Sequence, residues 1–157
     1  MKVIPRRRGG AELDENGIAG IVIGCAIDLH RDLGPGLLES VYEVLLADML
    51  AEQGLSVLRQ VPVPITYRGK TFLEAFRADL LIENKICIEL KAVETVSKSD
   101  PKQLRTYLRL LDYRLGLLIN FNAPLLKEGI VRIVNGLEND PYASPLRASA
   151  PPREKKP

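Results

Sequence analysis

The chain predicts an α/β fold, a central mixed β-sheet flanked by helices, on three observations. Apolar residues recur at helical spacing over two segments, the period then changes to two through three successive segments, and a third helical segment precedes a last apolar run. That order, helix, helix, three strands, helix, strand, makes a mixed sheet covered by helices. Ile18, Ile21, Val22, Cys25 and Leu29 mark the first helix, which Leu33-Gly34-Pro35-Gly36 breaks. Leu38, Val41, Tyr42, Leu45, Met49 and Leu50 form the expected buried stripe of the second, with Gly54 placed to end it. Val57 to Tyr67 reads as a strand whose Pro62 and Pro64 suit an edge or irregular position, and Arg68-Gly69-Lys70 turns the chain. Thr71 to Ile82 returns, Glu83-Asn84-Lys85 breaks it, and Ile86 to Ala92 completes the meander. Pro101 fits a first helical turn, with Ser99 or Asp100 as caps and Leu104, Leu108 and Leu111 continuing inward. Arg114 to Phe121 reads as a buried strand, and Gly129 to Val134 as a short last one.

The length of 157 residues suits one domain, and 46% hydrophobic residues suffice for a sizeable core. That domain is expected over residues 13–137, between a flexible basic arm at 1–12 and a disordered, proline-rich tail at 138–157. The net charge is +2, but the basic residues concentrate at the ends, and residues 11–137 carry −3. An acidic body argues against gripping nucleic acid through bulk positive charge, while leaving room for a local basic groove. Two cysteines, Cys25 and Cys87, are too few for a disulfide framework or a cysteine zinc site. The run from Ile18 to Ile27 is too short to span a bilayer, and the charged N-terminus lacks an adjoining signal-peptide core, so a cytoplasmic protein with no membrane partner is expected. The lone His30 cannot form a histidine metal cluster and is expected on the surface or at a helix end. Any enzyme here must rely on carboxylates and lysine.

The best carboxylates for that work are Asp79 and Glu89, with Lys91 two residues beyond. In Ile86-Cys87-Ile88-Glu89-Leu90-Lys91, period-two alternation puts Glu89 and Lys91 on one face. With a three-residue turn at 83–85, Ile82 faces Ile86, Leu80 faces Ile88 and Asp79 faces Glu89, giving one apolar face and one that carries two carboxylates beside a lysine. Facing like charges destabilise a sheet, and a divalent cation between them would remove the repulsion. The alternative is a solvated face on which Lys91 pairs with either carboxylate.

Four features stand in order: Gly36-Leu37-Leu38-Glu39-Ser40-Val41-Tyr42, Asp79, Glu89-Leu90-Lys91 and Gln103-Leu104-Arg105-Thr106-Tyr107. Together they resemble the GxxExxY protein family, which is placed in the PD-(D/E)XK nuclease superfamily, from about Ile18 to Leu137. The resemblance implies Mg²⁺ or Mn²⁺ held by Asp79 and Glu89, with Lys91 orienting the attacking water. Glu39 would be a further ligand or a base; on local grounds it is a carboxylate stabilised at a helix start. Tyr42, Gln103 and Tyr107 would contact substrate or support the site, although Tyr42 lies within an apolar stripe. Lys98, Lys102, Arg105 and Arg109 give the third helix positive character suited to phosphates or to a solvated face. The implied function is a metal-dependent nuclease. Its rivals are a non-catalytic nucleic-acid or protein-binding module and a phosphoesterase for small nucleotides. A homodimer would suit cutting two strands, yet no residue demands one.

Overall fold

A computed structural model describes residues 12–137. The expected basic arm before Glu12 and the expected tail from Glu138 lie outside the described residues. The elements are α1 (Glu15–Leu33), α2 (Glu39–Glu52), β1 (Val57–Tyr67), β2 (Lys70–Ile82), β3 (Ile86–Lys91), α3 (Ser99–Leu111), β4 (Leu115–Asn120), a 3₁₀ turn (Leu126–Gly129) and β5 (Ile130–Val134). The five strands lie in the order β1-β2-β3-β4-β5, parallel at β3/β4 and antiparallel elsewhere. The mixed sheet is as the sequence predicts. Parallel neighbours need a crossover, and α3 supplies it. β1 takes the edge, where Pro62 and Pro64 cost no interior ladder bond.

Helices cover both faces. Residues of α1 and α2 pack with Leu80, Ile82, Ile86, Ile88, Leu90, Leu117 and Ile119, while Leu104 and Leu108 of α3 pack with Leu81, Cys87, Leu118 and Ile133. β4 is buried along its whole length, as a strand covered on both sides must be. Gly116 lets α3 approach, since a Cβ there would lie 3.2 Å from Leu104 and from the Cys87 carbonyl oxygen. At the β1–β2 turn both Arg68 (φ 47°) and Gly69 (φ 77°) are left-handed, the backbone a two-residue hairpin turn needs.

Several details differ from the sequence reading. The buried stripe of α2 is Tyr42, Leu46 and Leu50 with Glu43 and Ala47, whereas Leu38 is 74% exposed. Apolar residues surround this helix almost completely, so its pattern alone does not select the inward face. The start of α3 also departs: Lys98 occupies the cap, Ser99 and Asp100 are already helical, and the Asp100 carboxylate accepts from the Ser97 N–H at 3.0 Å. His30 lies in the last turn of α1, the helix end expected of it, but is buried rather than on the surface, its Nε2 2.8 Å from the Ala123 carbonyl oxygen.

Tyr42 lies in the core, as its place in the apolar stripe predicts. It is fully buried, stacks on Phe121 at 4.4 Å between centroids, donates its hydroxyl proton to the Gly34 carbonyl (2.6 Å) and accepts from the Leu37 N–H (3.2 Å). It fastens the Gly34–Leu38 loop that aims the start of α2. Tyr42→Phe deletes both bonds and leaves two backbone groups short of a partner, so a loss of about 1–2 kcal/mol is expected in urea denaturation.

Candidate active site

The site forms where β2 and β3 part. Glu83 and Asn84 turn the chain with φ of 54° and 51°, and Ile82 then faces Ile86, Leu81 faces Cys87 and Leu80 faces Ile88, the register the sequence predicts. The regular ladder ends at that pair. Asp79 replaces the next backbone bond with its side chain: its Oδ2 accepts from the Leu90 N–H at 2.9 Å, while the Glu89 carboxylate accepts from the Asp79 N–H.

Alternation along β2 slips at the same place. Phe76 and Ala78 pack in the cluster under α3, as Leu81 does, whereas Leu80 and Ile82 pack under α1 and α2. The β1–β2 register is unbroken from Val57–Ile82 to Val63–Phe76, so the two strands exchange faces together around Gln60 and Asp79. Across β1 the residue between the Arg59–Leu80 and Val61–Ala78 pairs is Gln60, in the left-handed region at φ 50°. The expected apolar face of Leu80, Ile82, Ile86 and Ile88 forms under α1 and α2, but the opposite face is not polar throughout. Leu81 and Cys87, on the expected carboxylate face, are buried under α3.

A cavity of about 100 Å³ lies here, lined by Glu39, Ser40, Glu43, Gln60, Asp79 and Leu90. Glu39, in the first turn of α2, reaches across to accept from the Ala92 N–H. Burial, then the charge of Asp79, pushes its carboxyl above the ordinary range. Asp79 is also raised, chiefly by burial, against which the Leu90 N–H acts, with Glu43 adding repulsion. Glu89 is pushed up to about 8 by burial and then by Asp79. Its Oε1 is buried with no hydrogen-bond partner. Lys91 opposes all three shifts and lies 3.8 Å from Asp100 at the start of α3. The Phe121 N–H holds the Lys91 carbonyl at 2.8 Å, and the Asn120 side chain pins Val93 on both its N–H and C=O.

The structure thus brings Asp79, Glu89, Glu39 and Lys91 into one electrostatic neighbourhood. Tyr107 stands beside it, stacked on Phe76 at 3.8 Å, with burial and then Glu89 raising its pKa. Gln103 is exposed on α3. Pairing of Lys91 with Glu89 or Asp79 alone does not describe the site, because two carboxylates remain crowded. A buried carboxylate oxygen without a donor, next to a second raised carboxylate, is a donor set that suits a hard cation. Among the described residues no group of three or more Asp, Glu, His or Cys side chains is placed to hold a metal ion, so a cation here would rest on two carboxylates, and Mg²⁺ commonly completes its shell with water and phosphate oxygens.

The sequence reading missed Glu43 and Gln60. Glu43 is buried, accepts from Gln60 Nε2 (2.5 Å) and from Arg59 (3.2 Å), and the same Gln60 amide reaches Asp79 Oδ1 at 3.2 Å. One signal was available: Glu43 follows Glu39 by four residues, so both occupy one helix face, a like-charge spacing that is unfavourable without a purpose. Nothing local marks Gln60. Its amide orients Asp79, and removal of such supports commonly costs 10–100-fold in metal affinity or activity. Gln60→Ala is expected to weaken Mn²⁺ binding by about tenfold in calorimetry, with Arg59→Ala, on the far side of Glu43, losing less.

A family model described as the PD-(D/E)XK nuclease superfamily matches residues 16–133, and the chain belongs to that superfamily. The match covers every described helix and nearly all of the sheet, including all four residues of the carboxylate–lysine cluster. No curated protein and no solved structure matches the chain. Nucleases of this superfamily generally use divalent metal ions, and a domain of the family implies contact with nucleic acid. Among the described residues no helix is long and apolar enough to cross a membrane.

Proposed function

We propose that this protein is a metal-dependent nuclease that hydrolyses phosphodiester bonds, and that within the superfamily it is a GxxExxY protein. The observation that carries the activity is the pair Asp79 and Glu89, both held above their ordinary pKa, with one Glu89 oxygen unpartnered and Lys91 beside them. The finer family assignment rests on Gly36, Glu39 and Tyr42, of which Glu39 faces the cavity and Tyr42 fastens the loop that aims it. Asp79 and Glu89 would hold Mg²⁺ or Mn²⁺, with Glu39 as a further ligand or as a base. Once bound, such an ion polarises a phosphoryl oxygen and lowers the pKa of water.

The chain's own groups do the rest. Lys91 offsets negative charge gathering on the phosphate and orients the attacking water through its ammonium donors. Glu39, with its raised proton affinity, can take a proton from that water when ionised. Gln60 and the Leu90 N–H fix the two oxygens of Asp79, so no reorganisation is needed as charge develops. Two free cysteines suit the reducing cytoplasmic setting that we propose. The second reading is a non-catalytic nucleic-acid-binding module, favoured because among the described residues no group of three Asp, Glu, His or Cys side chains is placed to hold a metal ion.

Wild type and Asp79→Ala/Lys91→Ala, incubated with DNA and RNA in Mn²⁺, Mg²⁺ or EDTA, separate the two. Cleavage that needs metal and disappears in the double variant establishes the nuclease. Intact substrates throughout, with no heat of Mn²⁺ binding, establish the module.

A further inference from the structure

The hairpin of β1 and β2 outruns the sheet. β3 pairs with β2 only from Leu80 to Ile82, so the portions beyond Gln60 and Asp79 stand as a two-stranded arm rooted in the candidate site. A lone ribbon is marginal in water. This one is anchored at its base, where Val63 and Phe76 join the cluster under α3 and Phe76 stacks on Tyr107. Past Val63 the register shifts, Ile65 faces Phe72, and large apolar groups meet solvent: Tyr67 is 65%, Phe72 55% and Leu73 81% exposed. By register Tyr67, Phe72 and Lys70 share one face.

Charge is distributed in the same way. From Val57 to Ala78 the arm carries Arg59, Arg68, Lys70 and Arg77 against Glu74 alone, net +3, although residues 11–137 total −3. Arg59 and Arg77 face Glu43 and Glu74 near the base. Arg68 and Lys70 occupy the tip, with the Arg68 guanidinium 5.4 Å from the Tyr67 ring centroid.

We infer that the arm is a platform for a single-stranded stretch of nucleic acid leading into the carboxylate site. Tyr67 and Phe72 stack on bases, and Arg68 and Lys70 meet phosphates. The inference rests on the nuclease reading for what happens at the arm's base, but the binding itself needs no cleavage. A polyanion is repelled by the acidic body and attracted at this tip. A second copy of the chain is disfavoured there, because a symmetric tip-to-tip contact sets Arg68 and Lys70 against their own like charges. Stacking on aromatic rings needs bases freed from a duplex, which selects a single strand. Phe72 lies seven residues from Asp79, at most about 23 Å along the strand, or about seven nucleotides of stacked chain.

The test is fluorescence anisotropy in EDTA with labelled single strands of increasing length up to 20 nucleotides, on wild type, Tyr67→Ala/Phe72→Ala and Arg68→Ala/Lys70→Ala. Wild-type affinity is expected to climb once strands exceed about seven nucleotides. The aromatic variant should lose that gain, at least tenfold for the 20-mer, and the basic variant should lower the log–log salt slope by about 1.4. Matching circular dichroism and melting curves show that the variants are folded. Unchanged 20-mer affinity in both variants overturns the arm, and so does self-association of the wild type that the aromatic variant abolishes. If cleavage still depends on Asp79 in that case, the nuclease reading stands without the arm. If the tip variants lose binding but the wild type never cleaves, the arm stands and the nuclease reading falls.

Discussion

Asp79→Asn is expected to abolish metal-dependent cleavage, a loss of about a thousandfold or more, while raising the melting temperature of the metal-free protein. The two effects share one cause. Asp79 sits among Glu39, Glu43 and Glu89, and its carboxyl is held above its ordinary pKa chiefly because burial disfavours the ion. The amide keeps one oxygen to accept from the Leu90 N–H, as Asp79 Oδ2 does at 2.9 Å, and gives up the longer Gln60 bond to Oδ1 at 3.2 Å, but it brings no charge to be desolvated or repelled. Removing one charge from such a cluster relieves the others, and active sites commonly give up stability in this way. Without that charge the site has lost half of its central carboxylate pair, and preorganised electrostatic stabilisation is commonly the largest single contribution to catalysis. Thermal melts in EDTA and cleavage assays in Mn²⁺ check both halves; a variant that cuts at the wild-type rate removes Asp79 from the mechanism, and one that melts several degrees lower refutes the relief of buried charge.

The second large effect is a reversal of pH dependence by metal. Glu89 has a folded pKa of about 8 against its ordinary 4.5. Between those values the folded chain keeps a proton that the unfolded chain has released, so metal-free stability falls as pH rises from about 4.5 to about 8 and levels off outside that window. Asp79 and Glu39 shift in the same direction and deepen the fall. A cation binds the deprotonated carboxylates, so its affinity grows across the same window and protons are released on binding. At a hundredfold excess over Kd it restores about 2.7 kcal/mol. Melting curves at pH 5.5 and pH 8, with and without millimolar Mn²⁺, should show a small metal effect at the lower pH and a large one at the higher. Glu89→Gln should flatten the metal-free trend. Equal metal effects at both pH values would refute the coupling.

The hairpin shows how far local pattern reaches. Turn length and period-two alternation were enough to pair Leu80 with Ile88 and Ile82 with Ile86, and the edge position of β1 was legible in Pro62 and Pro64. Those are rules about a backbone and its immediate neighbours. The same alternation, carried one residue further, put Asp79 and Glu89 on a polar face, whereas β2 slips there and Leu81 and Cys87 lie buried under α3. The exchange of faces coincides with Gln60 on β1, whose left-handed backbone nothing in its own sequence neighbourhood requires.

By itself, then, the sequence determined the order and type of the elements, the mixed sheet and the hairpin register beside Asp79, Glu89 and Lys91, because hydrophobic period and turn chemistry act over a few residues. Tertiary structure alone decided which face of α2 turns inward, and therefore that Tyr42 fastens a loop while Glu43 enters the site. It also decided that an amide 19 residues before Asp79 orients it, and that Glu89 keeps an oxygen without a donor. Each of these depends on burial and on contacts between distant segments, and burial, more than sequence spacing, sets the proton affinity on which the chemistry depends.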